Sequence, residues 1–289
     1  MEAQYSIASH LIEVSGASLN HIPGFKTFVS PNDTGRHPIL QLQLGVPLLP
    51  WKISPLYSFQ YGNGDVICHF AVHDGEYLLQ MEKPGTKPSL MTIVKQNERF
   101  IAKTNMDHQS RVDLLRFGIW MAYGIAAVHH QTLALHASTV CCNGKSILFL
   151  GESGTGKSTH TQLWLNHIEN TELLNDDSPF VHIMDDNTVS VFGSPWSGKT
   201  PCFKNINTPV AAMVRLSQAP YNKIKLLKGI ATVGALLPSC PPAFAHDEPL
   251  LLCITGILDI VLKQVPVYWL ECLPNPEAAY LVQEAVLKE

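Results

Sequence analysis

The chain has 289 residues, enough for one large domain or for a domain with a smaller appendage, and enough to bury a substantial core. Hydrophobic residues make up 46% and charged residues 15%, which excludes global disorder. The formal net charge is −4 and the 20 basic residues are scattered without a Lys/Arg run, so neither nucleic acid nor a membrane surface is expected as a partner.

The opening MEAQYSIASH has an acidic second residue and no apolar stretch, so no signal peptide is expected. No apolar run reaches the roughly 18 residues needed to cross a bilayer. The seven cysteines (Cys68, Cys141, Cys142, Cys202, Cys240, Cys253 and Cys272) are odd in number and contain no C-x-x-C. These features together predict a cytoplasmic protein with reduced thiols, each serving as a small buried hydrophobe.

Residues 1–105 read as a β-rich N-terminal region and 106–289 as a second domain, on a change of hydrophobic period. Pro23, Pro31, Pro38, Pro47, Pro50 and Pro55 argue against long helices early on. Over 57–81, Asn63-Gly64 and Asp74-Gly75 predict two-residue hairpin turns around a strand at 66–72, because both dipeptides tolerate positive φ. Leu114, Leu115, Ile119, Ala122, Ile125 and Ala126 then recur at helical spacing and predict a helix over 110–129. Strands are expected at 132–141 and 146–150, joined by Asn143-Gly144. The second is almost wholly apolar, as for a strand buried on both faces. A helix at 157–167 and a strand at 171–175 follow. Next come a hairpin around Asp186-Asn187, a turn-rich loop at 193–207, a strand at 210–216 and, last, an amphipathic helix at 276–287.

The stretch Gly151-Glu152-Ser153-Gly154-Thr155-Gly156-Lys157-Ser158 has the form G-x-x-x-x-G-K-[ST], with a buried-type strand before it and a helix after it. Its glycines let successive backbone N–H groups turn inward as an anion nest. The helix that follows adds its dipole and free N–H groups. Lys157 supplies a cation for the β- and γ-phosphates, and the Ser158 hydroxyl a ligand for Mg²⁺. The expected cofactors are ATP and Mg²⁺, held by Gly151, Ser153, Gly154, Thr155, Gly156, Lys157, Ser158 and Thr159.

A phosphate site needs a second group, and Asp176-Asp177 is the best placed, one helix beyond Lys157 at a strand end. One carboxylate would hold Mg²⁺ and the other would accept a hydroxyl proton. A solvated turn before Ser178-Pro179 is the alternative. Asp185-Asp186 reads as a hairpin tip. His129, His130 and His160 show no metal-ligand pattern. Within 193–207, Lys199 is suited to a phosphate or an acceptor carboxylate, and Trp196 to stacking on a base or covering the site. A surface turn is the alternative for that loop. Arg215 would either neutralise charge on the transferred group or serve a structural ion pair.

The segment LHASTVCCNGKSILFLGESGTGKSTHTQLWL, with LLNDDSPFV shortly after, resembles the catalytic domain of HPr kinase/phosphorylase. It is also similar to the nucleotide-binding half of ATP-dependent phosphoenolpyruvate carboxykinase. The likeness covers about 133–216. It implies an α/β fold of the HPr kinase/carboxykinase P-loop type with a mixed sheet, nucleotide binding at Ser153–Ser158, and metal binding and proton transfer at Asp176 and Asp177. It also implies that His136 lies beside that pair, and a homo-oligomer, since the kinase relatives form rings. Thr159 stands where the kinase family usually has Glu. The arginine- and glycine-rich loop linked to phosphorolysis has no evident counterpart, so the resemblance does not carry the reverse activity over. The expected function is ATP- and Mg²⁺-dependent transfer of a phosphoryl group to an unknown hydroxyl acceptor (a serine of a protein or peptide, or a small molecule). The alternative is a nucleotide-binding switch or slow NTPase without an acceptor.

Overall fold

The computed structural model describes residues 2–30, 35–198 and 200–287. It is an α/β protein with mixed sheets and more strand than helix. The chain divides into two compact units. One holds residues up to His130 together with Ala243–Leu251; the other holds Gln131–Pro242 together with residues from Leu252 onward. The change of period placed the division near residue 105, whereas the helix expected at 110–129 falls in the first unit. No helix is long and apolar enough to cross a membrane among the described residues.

The first unit contains β1 (Glu2–Ile7), β2 (His10–Ser15), β3 (Pro38–Gln43), β4 (Tyr57–Tyr61), β5 (Val66–His73), β6 (Glu76–Glu82), β7 (Ser89–Gln96) and β8 (Arg99–Thr104). They form one sheet in the order β1-β2-β3-β8-β7-β6-β5-β4. As expected, Asp74 and Gly75 make a two-residue turn, with φ of 49° and 76°. The turn at Asn63-Gly64 is longer than expected, since Gly62–Asp65 all lie between β4 and β5. Among the described residues the proline-punctuated stretch carries β3 and a 3-10 turn, Phe25–Phe28, and no α-helix; Pro31 lies outside the described residues. Helix α1 (Val112–Val128) buries one broad face, including Leu115, Ile119 and Ala122. Its Tyr123 hydroxyl donates to the Ile7 carbonyl oxygen at 2.7 Å, tying the helix to β1.

The second unit follows the chain through β9 (Thr132–Ala134), β10 (Ala137–Cys142), β11 (Lys145–Leu150), α2 (Lys157–His167), β12 (Thr171–Asp177), β13 (Phe180–Ile183), β14 (Val189–Phe192), β15 (Asn207–Gln218), β16 (Lys223–Leu226) and α3 (Ile230–Leu236). Helix α4 (Glu248–Gln264) begins in the segment assigned to the first unit. The second closes with β17 (Val267–Cys272) and α5 (Pro276–Leu287). The run expected as one strand over 132–141 is two. The Leu135 N–H bonds the Pro179 carbonyl and the His136 N–H bonds the Ser239 carbonyl, so the chain leaves one strand partner before joining the next.

Strand directions decide where chemistry can sit. β10 is antiparallel to both β11 and β12. β11 is parallel to β15, and β15 to β17. The carboxyl ends of β11, β12, β15 and β17 therefore lie along one sheet edge, with the amino end of β10 among them. In open α/β sheets that is the edge where ligands bind. The register makes the alignment specific: Ala137 pairs with both Leu150 and Asp177, and Leu150 pairs with Arg215. Below this edge, Val140, Ile147, Phe149, Val214 and Leu270 pack with Trp164 of α2, with Ile168 just after it, and with Ala279 and Val282 of α5. This core holds α2, and hence the loop before it, against the sheet.

Candidate functional site

The glycine loop leaves β11 at Leu150 and enters α2 at Lys157. Gly156 caps the helix with φ of 101°, a left-handed conformation that a side chain would resist. Lys157 is buried at 8% exposure, and its ammonium donates to the carbonyl oxygens of Gly151 at 2.8 Å and Glu152 at 3.3 Å. Burial lowers its pKa, against the opposing pull of Asp177, Asp176 and Glu152. A buried ammonium whose partners are mainly loop carbonyls is a ready counter-charge for an incoming anion.

Asp176 and Asp177 are the last two residues of β12, not a turn after it. Asp176 is buried at 3% exposure. One of its carboxylate oxygens accepts from Ser138 Oγ and, at 3.2 Å, from Ser158 Oγ; the other accepts from the Thr200 N–H at 3.3 Å. Asp177 is half-exposed, and its Oδ1 lies 3.5 Å from His136 Nε2, beyond a good hydrogen bond but within electrostatic reach. His136 has its pKa lowered, first by burial and then by the Lys157 ammonium, with Asp177 pulling the other way. Neutral imidazole is thus the favoured form near neutral pH. Asp177 adopts φ of 113°, uncommon for a side-chain-bearing residue.

That conformation is braced by the later loop. Ser197 forms an isolated antiparallel bridge with Asp177, and the Gly198 N–H donates to the Asp176 carbonyl at 2.5 Å. A Cβ on Gly198 would lie 3.0 Å from Asp177 Cβ and 3.4 Å from the Asp176 carbonyl oxygen, so only glycine fits without displacement. Trp196 does not cover the site. Its ring is buried at 5% exposure and packs 5.7 Å from Phe180, while its carbonyl accepts from the Asn175 amide at 3.0 Å. Lys199 lies outside the described residues. Arg215 is buried within β15, three residues before its end at Gln218, donating to Glu152 Oε1 at 2.7 Å, to the Ala235 carbonyl at 3.2 Å and to Ser239 Oγ at 3.4 Å. The ion-pair alternative thus describes Arg215 here, although that pair joins it to the glycine loop.

A cavity of about 400 Å³ opens between these groups. Its walls bring together Ser153, Lys157, Ser158 and Thr159 from the loop side and His136, Ser138, Asp176, Asp177 and Gly198 from the strand ends. Thr155 faces a neighbouring cleft instead, one that shares Gly154, Gly156 and Thr159 with this cavity. Ser138, Glu152 and Gly198 are site residues that sequence reasoning did not single out; Ser138 reaches Asp176 only through the β10–β12 register. His160 is buried, accepts from Trp164 Nε1 at 3.3 Å and lines the neighbouring cleft.

Ser158 and Asp176 offer oxygen atoms only, with Asp177 next to them. Among the described residues no group of three or more His, Cys, Asp and Glu side chains could cage a metal by itself. Hydroxyl plus carboxylate is the donor set of Mg²⁺ arriving with phosphate oxygens and water, so the residues present fit that ion. No protein-family model matches the chain, and no curated protein sequence matches it.

Proposed function

We propose that the chain is an ATP- and Mg²⁺-dependent kinase of the HPr kinase/carboxykinase P-loop type, transferring the γ-phosphoryl group to a hydroxyl acceptor. The observation that carries this reading is the convergence of Lys157, Ser158, Asp176 and Asp177 on one cavity at the carboxyl ends of the strands. The resemblance of 133–216 to the kinase catalytic domain, which rests on the same loop and Asp pair, agrees with it.

The two aspartates take different roles. Asp176, buried and bonded to Ser158, would hold Mg²⁺ together with that hydroxyl. There the ion would neutralise charge on the phosphate oxygens. Asp177, half-exposed and next to His136, faces an acceptor and takes its hydroxyl proton. The acceptor oxygen bonds to the γ-phosphorus as the bridging bond to the β-phosphate breaks, and ADP leaves with that bond's electrons. Lys157 and the loop N–H groups hold the charged oxygens in line, so the gain comes from positioning and electrostatics. His136 stands 3.5 Å from Asp177 Oδ1 and, being neutral, adds no cation beside that carboxylate.

The test is phosphoryl transfer from γ-labelled ATP to pooled hydroxyl acceptors from the source cell. Wild type is expected to label a product. Asp177→Asn should bind ATP nearly as well while its rate falls about 10²- to 10⁴-fold, the usual worth of a general base. ATP hydrolysis with no acceptor labelled under any condition would instead identify a switch or slow NTPase.

A further inference from the structure

The phosphate cavity shares the glycine loop with a second cavity. On the other side of Gly154, Gly156 and Thr159 lies a larger cleft of about 630 Å³. Its composition is different: no Asp, Glu, Lys or Arg lines it, and Leu163, Leu216, Ala219, Pro220, Cys272 and Pro274 form its walls together with Thr155, His160 and Gln218. The strand pattern explains the location. Gln218 and Cys272 pair at the ends of the parallel strands β15 and β17, so the cleft opens at the same sheet edge as the phosphate cavity.

The rim is held in place before any ligand arrives. The Ala219 N–H donates to the Cys272 carbonyl at 3.2 Å, and the Leu273 N–H to Asn222 Oδ1 at 2.8 Å. Asn222 in turn donates to Asn275 at 2.9 Å. Gln218 reaches across to the Gly154 carbonyl at 3.2 Å, linking the cleft wall to the loop. Pro220 and Pro274 add flat, rigid faces.

We infer that this cleft binds the base and ribose of the nucleotide whose phosphates occupy the Lys157 cavity. The inference rests on the kinase reading and deepens it. A nucleotide is a charged chain joined to a flat, uncharged heteroaromatic ring. Here a polar cavity with a buried ammonium shares Gly154, Gly156 and Thr159 with a cleft that no Asp, Glu, Lys or Arg lines, of the size that small-molecule sites have. Leu163 of α2 and Leu216 of β15 supply the apolar surface against which a base desolvates.

The experiment compares ATP with inorganic tripolyphosphate, which carries the same phosphates and no base, on the whole protein with Mg²⁺. Wild type should bind ATP at least about tenfold more tightly than tripolyphosphate. Cys272→Trp, which fills the cleft, should weaken ATP at least about tenfold and leave tripolyphosphate unchanged. Equal affinity of wild type for the two ligands, or unchanged ATP binding by Cys272→Trp, would overturn the base assignment and leave the phosphate reading standing. Failure of wild type to bind either ligand would overturn both. Should Cys272→Trp not fold, alkylation of wild type decides. ATP should protect the Cys272 thiol while tripolyphosphate does not, with Cys253, outside the cleft lining, reacting equally in both cases. No difference in protection of Cys272 would overturn the inference.

Discussion

Asp176 and Asp177 are chemically identical neighbours in sequence, and their surroundings separate them. Asp176 is buried among donors from Ser138, Ser158 and Thr200; Asp177 is turned outward beside His136. The glycine loop and the pair were legible in the sequence because their spacing carries the chemistry. The Ser138 contact depends on strand register and was not. Trp196, read as stacking on a base or covering the site with a surface turn as the alternative, does neither: its ring is buried on Phe180 while its carbonyl accepts from the Asn175 amide, a long-range contact that leaves no local trace. His160 yields a prediction of its own. Burial lowers its pKa from 6.5 to about 4, with Phe149 4.6 Å from its ring. The unfolded chain then takes up this proton first. Its stabilising effect is complete above pH 6.5 and is lost as pH falls toward 4, on the order of 3 kcal/mol by the end of that window. Thermal unfolding of wild type should weaken over this range more steeply than that of His160→Gln, which keeps an acceptor for Trp164. Parallel pH curves would show that His160 is not responsible.

At the level of elements, the site depends on strands that end together and on a second loop that braces one of them. The strand–loop–helix order was legible, since an apolar strand, a glycine loop and a helical pattern follow one another directly. The intervening β10 was legible as a strand, but its place between β11 and β12 was not, because pairing across separate hairpins leaves no local trace. The break at Leu135–His136 was hidden for the same reason: both residues bond carbonyls far along the chain. Gly198 tests the brace. A methyl group there meets Asp177 Cβ at 3.0 Å in a stretch already holding Asp177 at φ of 113°. Gly198→Ala should cost about 1–3 kcal/mol in stability, read by denaturant unfolding, and should lower the rate more than ATP affinity. Unchanged rate and stability would show that the loop yields freely and does not position Asp177.

For the molecule as a whole, the composition indicated a folded chain and the turn dipeptides a β-rich beginning, and among the described residues eight strands form that region's sheet. The division into units was less legible. α1 has helical periodicity, yet it packs with the strands before it through Tyr123 and Ile7. Ala243–Leu251 returns to the first unit from more than a hundred residues away. Neither feature leaves a mark in a period-based reading. The phosphate cavity, by contrast, is lined entirely by residues of the second unit, so the proposed chemistry rests on that unit's own strands. The central claim is that Lys157 and its loop bind a nucleotide triphosphate. Calorimetric titration of ATP with Mg²⁺ into the whole protein tests it most directly. Wild type should bind, and Lys157→Ala should bind about 10- to 100-fold more weakly, the worth of a charge-assisted hydrogen bond. Absence of binding by wild type at millimolar ATP, or equal binding by both proteins, would contradict it.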